Sequence, residues 1–326
     1  MNIRFVKTYL KKCNNQLHIA HSQDNVSMLW LWCDSVWSLL RYGCTVTEYV
    51  QCGFYKMRSF ERKRIVTFPK FRKLVKLNDP KYIPILRDKD KFNSFFAPFV
   101  HRDWLASSKM TFDEFTSFCQ KHSQIVLKPL DGTEGHGVSI ITPPSKENDK
   151  LQALFNKLCN QNILIEERIQ QHPRMVFSNS SVNTIRVMTI MDKNTHDVVV
   201  FRTDLRAGIG NSVIDNFNNG GCAYQIDIET GRIISFGSRY GKGNEHILFH
   251  PGTSTCMLGY QIPNWQQVID SCKEAHKMLP QCRYISWDVA ITEDDIELIE
   301  GNHDGDYDLL EFFGQHGYWP LLKKYL

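Results

Sequence analysis

The chain has 326 residues, with 39 basic and 35 acidic side chains and a formal net charge of +4. A content of 42% hydrophobic and 23% charged residues is that of a globular chain with ample length for a core, and it excludes disordered, collagen-like and fibrous readings. The small net charge conceals a division. Residues 1–90 carry 17 basic and 7 acidic side chains, +10, and the remaining 236 carry 22 and 28, −6.

In chain order, the opening MNIRFVKTYLKKCNNQ has no apolar stretch or small-residue cleavage site of a secretory leader. Ten scattered cysteines without a CxxC pair argue against zinc ribbons and thioredoxin-like motifs, and point to reduced thiols in a cytoplasm. Met28–Leu40 is the most apolar run, but at 13 residues including Asp34 it is too short to span a bilayer. Leu29, Trp32, Cys33, Val36, Trp37 and Leu40 recur at helical spacing, which predicts an amphipathic helix buried in a core; a helix lying in a membrane interface is the alternative. Lys56 to Lys76 holds nine basic residues against one acid, Glu61. That stretch reads as a solvated face, or as a platform for anionic lipid or acidic glycan. Nucleic acid is disfavoured as a partner, since few aromatics interleave with the charges.

From about residue 92 the texture changes. Thr111 as an N-cap predicts a helix over 112–122, followed by a strand at Ile125–Leu127. Lys128 to Gly137 is a Gly-rich loop, Val138–Ile141 a second strand, 147–160 a helix and Ile163–Ile165 a third strand. More strands are expected to 240, then a helix near 264–278 and a hairpin near 285–302.

Two constellations carry chemistry. Gly132, Gly135 and Gly137 between strands let backbone N–H groups approach phosphate oxygens, although a plain hairpin turn would use the same residues. Lys128 at the strand end supplies the point charge that favours the phosphate reading, and the flanks are not those of a P-loop. In the final hairpin, a three-residue loop Glu293–Asp295 would set Thr292 opposite Ile296 and Asp288 opposite Glu300, with Asn302 on the face of Glu300. Two carboxylates and an amide oxygen form a hard-ligand set for Mg²⁺; a solvated hairpin is the bland alternative, but Glu300 follows the apolar Leu298-Ile299. Arg186 and Arg206 lie in strands, where they either face a phosphate site or form surface ion pairs. Asp204 and His303 receive no role.

Taken in order, KPLDGTEGHGV (128–138), ILIEERIQQHP (163–173), SVNTIRV (181–187), VIDNFNNGG (213–221), FHPGTSTCMLGYQIPNW (249–265) and WDVAITEDDIELIEGN (287–302) resemble the ATP-grasp superfamily, and more closely its sugar-transfer-associated branch. TEYVQCGFYKMRSFERKRIV (47–66) extends the resemblance toward the N-terminus. It implies an α+β fold: a mostly helical basic region (1–95), a small lobe with the Gly-rich loop (96–165) and a large lobe with the metal site (166–326), the lobes clasping ATP. It implies nucleotide contacts from Lys91, Lys128, Gly132, Gly135 and Gly137, and a hinge at Glu166, Glu167 and Ile169 whose backbone holds adenine. Lys128, Arg186 and Arg206 would act on the transferring phosphoryl group. Asp288, Glu300 and Asn302 would hold two Mg²⁺ ions, with Mn²⁺ as a substitute and Glu300 as the bridge. Asp295 stands where the family's turn has glycine. The implied activity is an ADP-forming carboxylate–amine ligase in sugar or polysaccharide biosynthesis, on a small-molecule or glycan substrate, anionic or lipid-linked, with peripheral contact at the inner membrane face. Two alternatives are a kinase of a sugar or polyol hydroxyl and a non-catalytic nucleotide-binding module.

Overall fold

In the computed structural model, the described residues are 3–130, 137–178, 181–210, 220–239, 246–305, 308–312 and 317–326. Gly132 and Gly135, together with most of the 213–221 motif, lie outside them.

Residues 3–65 build a helical cluster. Its elements are α1 (Ile3–Asp24), α2 (Met28–Tyr42), α3 (Val46–Gln51) and the single turn α4 (Ser59–Arg62). Gly43 ends α2 at φ +67°, where a Cβ would lie 2.5 Å from Pro69 Cγ. Thr45 and Glu48 form a reciprocal capping box that starts α3. Leu17, Leu31, Tyr49, Phe54 and Ile65 share the core.

The expected rotation of α2 is reversed. Leu31, Asp34, Ser35 and Ser38 are the buried residues. Leu29, Cys33, Val36, Trp37 and Leu40 are exposed, and Trp32 is half-buried with its indole N–H on Asn14 Oδ1. Spacing shows that a helix has an apolar face but not which side meets the core. Here the buried side is set by Asp34, which takes a bidentate pair from Arg62 (2.8 Å each) and a hydrogen bond from the Tyr49 hydroxyl (2.7 Å).

The helices that follow, α5 (Phe68–Val75), α6 (Ile83–Arg87) and α7 (Lys89–Phe95), join the body instead. Leu86 and Phe92 belong to the main core with Trp287, and a Cβ on Gly301 would meet both at 3.0–3.1 Å.

A small antiparallel sheet comes next, from β1 (Trp104–Ala106), β2 (Ile125–Pro129), β3 (Ser139–Ile141) and β4 (Ile163–Glu167) in the order β1-β4-β2-β3. Helices α8 (Phe112–Lys121) and α9 (Asn148–Cys159) join its core through Phe115, Phe118, Leu151 and Leu158, against Ile125, Leu127 and Ile165. The Thr111 cap closes a full box with Glu114.

The large antiparallel sheet holds β5 (Thr184–Met191), β6 (Val198–Ala207), β7 (Cys222–Gln225), β8 (Tyr284–Ile291) and β9 (Ile296–Asn302) in the order β7-β6-β5-β8-β9. Helix α10 (Trp265–Met278) shares a core with Ile185, Val187, Leu205, Val289 and Leu298, using Val268, Cys272 and Ala275. Strand alternation therefore turns Arg186, Asp204, Arg206 and Asp288 to the opposite face. The chain closes with α11 (Asp308–Phe312) and α12 (Trp319–Leu322). Within α11 the Glu311 carboxylate accepts backbone N–H groups from Val66, Gly317 and Tyr318, which ties the N-terminal segment to the C-terminal one.

The hairpin register differs from expectation by one residue and then recovers. Ile291 pairs with Ile296, so the connection is four residues, with Thr292 N–H on Asp295 O and the Thr292 hydroxyl bound within the turn. The glycine-free turn is thus held by side-chain hydrogen bonds. A bulge at Ile299 then restores the pairing of Asp288 with Glu300.

Candidate functional site

One row of residues crosses the large sheet in register: Gln225, Asp204, Arg186, Asp288 and Glu300, on β7, β6, β5, β8 and β9. Directly opposed residues share a face, so the row sets Arg186 between Asp204 and Asp288 and puts a second acid, Glu300, beside Asp288. Arg206, one position along from Asp204 on the same face, leans back to the centre. Asp288 lies between the two arginines, with Arg186 Nε 2.7 Å from Oδ1 and Arg206 Nη2 2.7 Å from Oδ2. Thr184 Oγ1 holds the Arg206 guanidinium at 2.9 and 3.0 Å, and Ser286 Oγ accepts from Arg186 at 3.4 Å. A Cβ on Gly305 would sit 2.9 Å from Arg186 Nη1, so the turn after β9 closes on this guanidinium.

Burial pushes the Asp288 carboxyl up to about 7, against the pull of the two arginines and with help from the neighbouring Glu300. Glu300 moves the other way: burial would raise it, but the hydrogen bond with Asp288, the Arg186 charge and the Asn302 amide bring it down to about 2. The pair thus divides its protonation unequally, as two carboxyls crowded into one site do. Asn302 Nδ2 donates to Glu300 Oε1 at 3.1 Å, which leaves Asn302 Oδ1 as an oxygen donor. The donor set is two carboxylates and an amide oxygen, gathered on one face of the large sheet. These residues fit Mg²⁺ or another hard divalent cation.

A second network lies where the small sheet meets the large one. Arg102 is buried and donates to Glu166 Oε1 (2.7 Å) on β4, to Glu297 Oε1 (2.6 Å) on β9, and to Asn93 Oδ1 (3.1 Å) on α7. It fastens both lobes to the helices between them. Lys128 pairs with the other oxygen of Glu166. Burial would raise Glu166, but Arg102 and Lys128 outweigh it and hold its carboxyl at about 2. The Glu166 side chain is therefore an internal anchor for Lys128. The Glu167 backbone N–H donates to Asp103 O. Ile169 follows β4, in the segment that leads from the small sheet toward the large one.

Lys91 and Lys89 differ in placement. The Lys91 side chain is 56% exposed, and its ammonium sits 2.7 Å from Asp88. The Lys89 ammonium lies 3.4 Å from the carbonyl of Leu130, at the base of the Gly-rich loop. Gly137, at the other end of that loop, has φ +78°, and a Cβ there would sit 2.8 Å from Pro129 Cγ.

Asp103, His122 and Glu167 also gather near the end of β4, with His122 Nε2 2.7 Å from Asp103 and Nδ1 3.7 Å from Glu167. The Lys121 ammonium already pairs with the same Asp103 oxygen that faces His122. This cluster is a closed ion-pair network that braces the strand entry.

Residues 72–325 match the family described as sugar-transfer associated ATP-grasp. The chain belongs to this family. The fold is accordingly that of ATP-grasp proteins, with two α+β lobes behind a helical N-terminal region. Solved structures similar to it include the ATP-grasp ligase PsnB complexed with minimal precursor, Mg and ADP (15% identity, TM-score 0.42, covering 76% of this chain and 60% of that one). Others are an ADP complex of N5-carboxyaminoimidazole ribonucleotide synthetase (12%, 0.43, 74% and 52%) and the D-alanine-D-alanine ligase from Coxiella burnetii (9%, 0.39, 76% and 54%). The chain spans 60% or less of the length of each of these three. No curated protein matches it.

Sequence reasoning gave Asp204 no role and did not single out Arg102 or Lys89. Arg202, Asp204 and Arg206 alternate along one strand, a period-two pattern of charges that marks one polar face. Arg202 and Asp204 pair at 2.6–3.0 Å in full burial, and Arg202 reaches the Tyr318 hydroxyl at 3.4 Å. Arg102 carried no local signal, because its partners are 9, 64 and 195 residues away.

Proposed function

We propose that this chain is an ADP-forming, ATP-dependent carboxylate–amine ligase acting on a sugar acid or related carbohydrate precursor. The observation that carries the reading is the convergence of Asp288, Glu300, Asn302, Arg186 and Arg206 on one face of the large sheet. In a member of an ATP-grasp family, this oxygen set would hold Mg²⁺. Asp288, Glu300 and Asn302 would be its ligands, with Glu300 able to serve two ions. Bound there, the metal would offset the charge of the nucleotide phosphates.

The chain's own residues supply positioning and charge. Two anions, a substrate carboxylate and the γ-phosphate of ATP, must approach each other, and Arg186 and Arg206 offset their repulsion. Attack of the carboxylate oxygen on the γ-phosphorus breaks its bond to the ADP oxygen, giving an acyl phosphate and ADP. An amine then displaces inorganic phosphate to form the amide. Lys128, anchored by Glu166 in the small lobe, and Lys89 at the start of α7 would hold the phosphates beside the Gly-rich loop. Exclusion of water by that loop would protect the acyl phosphate from hydrolysis.

Product analysis tests the assignment. The purified chain with ATP, Mg²⁺ and paired panels of sugar acids and amino acids is expected to release ADP and free phosphate in equal amounts, only when both partners are present. ADP without free phosphate would identify a kinase and overturn the ligase reading. With a productive pair found, Arg186→Ala is expected to lower kcat about a hundredfold while nucleotide affinity changes less than about threefold. Unchanged turnover would remove Arg186 from the transfer step.

A further inference from the structure

The outward face of α2 is the most unusual surface of the molecule. Leu29 is 76% exposed, Leu40 78% and Trp37 56%, and Trp30, Val36 and Leu39 are each close to half exposed. These side chains and Cys33 cover about half of the helix circumference. The only charge on this face is Arg41 near the C-terminal end, since Asp34 points inward. A contiguous apolar patch of this kind on a soluble surface marks a place where something binds.

The interior explains why α2 does not rotate to hide it. Turning the apolar residues inward would bring Asp34 out of its bidentate pair with Arg62 and leave that guanidinium, 7% exposed, without its partner. Breaking such a pair is costly. The ion pair therefore locks the apolar face toward solvent.

The rim decides what covers it. Across residues 28–64 the acids are withdrawn: Asp34 and Glu48 are buried, and Glu61 accepts the Arg58 backbone N–H. Arg41 is exposed at the end of α2, and Arg58 is exposed between Met57 and Ser59, two residues that face α2 across a groove. This groove, of about 520 Å³, separates Trp30 and Trp37 from Met57 and Ser59, with Arg41 at its edge. A second copy of this chain would bring like charges together around an apolar centre. An anionic lipid bilayer complements both parts, with tryptophan and leucine in the acyl boundary and the bases at the headgroups. Among the described residues no helix is long and apolar enough to cross a membrane, so the contact lies in the plane of the interface.

We propose that α2 docks the chain on an anionic membrane surface, with Leu29, Trp30, Val36, Trp37 and Leu40 inserted and Arg41 and Arg58 at the lipid phosphates. Vesicle co-sedimentation tests this, using phosphatidylcholine alone and phosphatidylcholine with about one third phosphatidylglycerol. The wild-type chain is expected to sediment with the anionic vesicles, less so as salt rises, and free phosphate is not expected to compete. Trp37→Gln with Leu40→Gln should weaken the partition more than about tenfold, with an unchanged circular dichroism spectrum and ATP turnover in solution. A measurement without substitution accompanies it: vesicles brominated on the acyl chains should quench tryptophan fluorescence of the wild-type chain. The proposal is overturned if the wild-type chain ignores anionic vesicles and shows no quenching, or if the double variant binds as well as wild type. It is equally overturned if the chain dimerises without lipid and the double variant abolishes that dimer.

Discussion

Two regions of this molecule each bury an aspartate against arginine, and they do so differently. In the helical cluster, Asp34 has one arginine, joined through both oxygens, and the Tyr49 hydroxyl on the same carboxylate. The same guanidinium also donates to Met57 O and Ser38 Oγ, so the charge is closed within the helical cluster. On the large sheet, Asp288 is divided between two arginines and crowded by a second carboxylate; burial, opposed by the arginines and helped by Glu300, pushes its carboxyl up to about 7. A buried charge with a closed set of partners holds a fold together. One left with surplus acid and open oxygen donors is prepared for something that arrives later.

That contrast can be broken by substitution. The largest effect is expected from Glu300→Ala: a loss of ATP turnover of about ten-thousandfold, from removal of an oxygen donor at the phosphates. Thermal unfolding of the nucleotide-free protein should change little. Turnover that survives in a folded variant would show that the sheet row is merely structural. Arg62→Ala should give the opposite pattern, a stability loss of about 3–5 kcal/mol in denaturant titration, because it strands the Asp34 charge in the interior. Turnover per folded molecule should remain near wild type, and a selective loss of turnover instead would place the helical cluster in the chemistry.

A third closed set lies on the apolar side of the large sheet. His276 is buried, with Nδ1 2.7 Å from Thr189 Oγ1 and Nε2 2.9 Å from Cys282 O, and burial lowers it to about 4. The unfolded chain takes up this proton near 6.5, whereas the folded one resists until about 4. Stability from this group is therefore present above pH 6.5 and lost as pH falls through that window, by about 3 kcal/mol in total. Comparing His276→Gln with wild type by denaturant titration across that window isolates the contribution, and equal slopes would refute it. The smallest effect belongs to Lys89→Ala. It should raise the KM for ATP about fivefold to tenfold with stability intact, whereas Lys91→Ala should be close to neutral. A reversal between the two would return the nucleotide contact to Lys91.

The order of elements in the body was legible because it rests on local signals. Thr111 and Glu114 announce α8, the run from Ile125 announces β2, and the alternation from Tyr284 to Asn302 announces the last hairpin. The pairing of Asp288 with Glu300 was also legible, although by a path the molecule does not take. The turn is one residue longer than expected, and the bulge at Ile299 compensates. Parity alone thus placed both carboxylates on one face, and two one-residue errors cancelled. The rotation of α2 was not legible, since its periodicity is satisfied whichever side faces inward. Nor was the difference in placement between Lys89 and Lys91, two residues apart in sequence, of which one reaches the carbonyl of Leu130 and the other pairs with Asp88.

By itself, the sequence determined which residues lie on strands and helices, which of them share a face, and that acids, amide and glycines occur in the order of an ATP-grasp chain. Those properties follow from short-range spacing and chain order. Tertiary structure alone decided that Arg102 pins the two lobes, that Asp204 joins the charged row, and that α2 shows its apolar side to the outside. Each depends on a partner tens to hundreds of residues away, where the energy of a buried charge pair overrides the preference of any single segment.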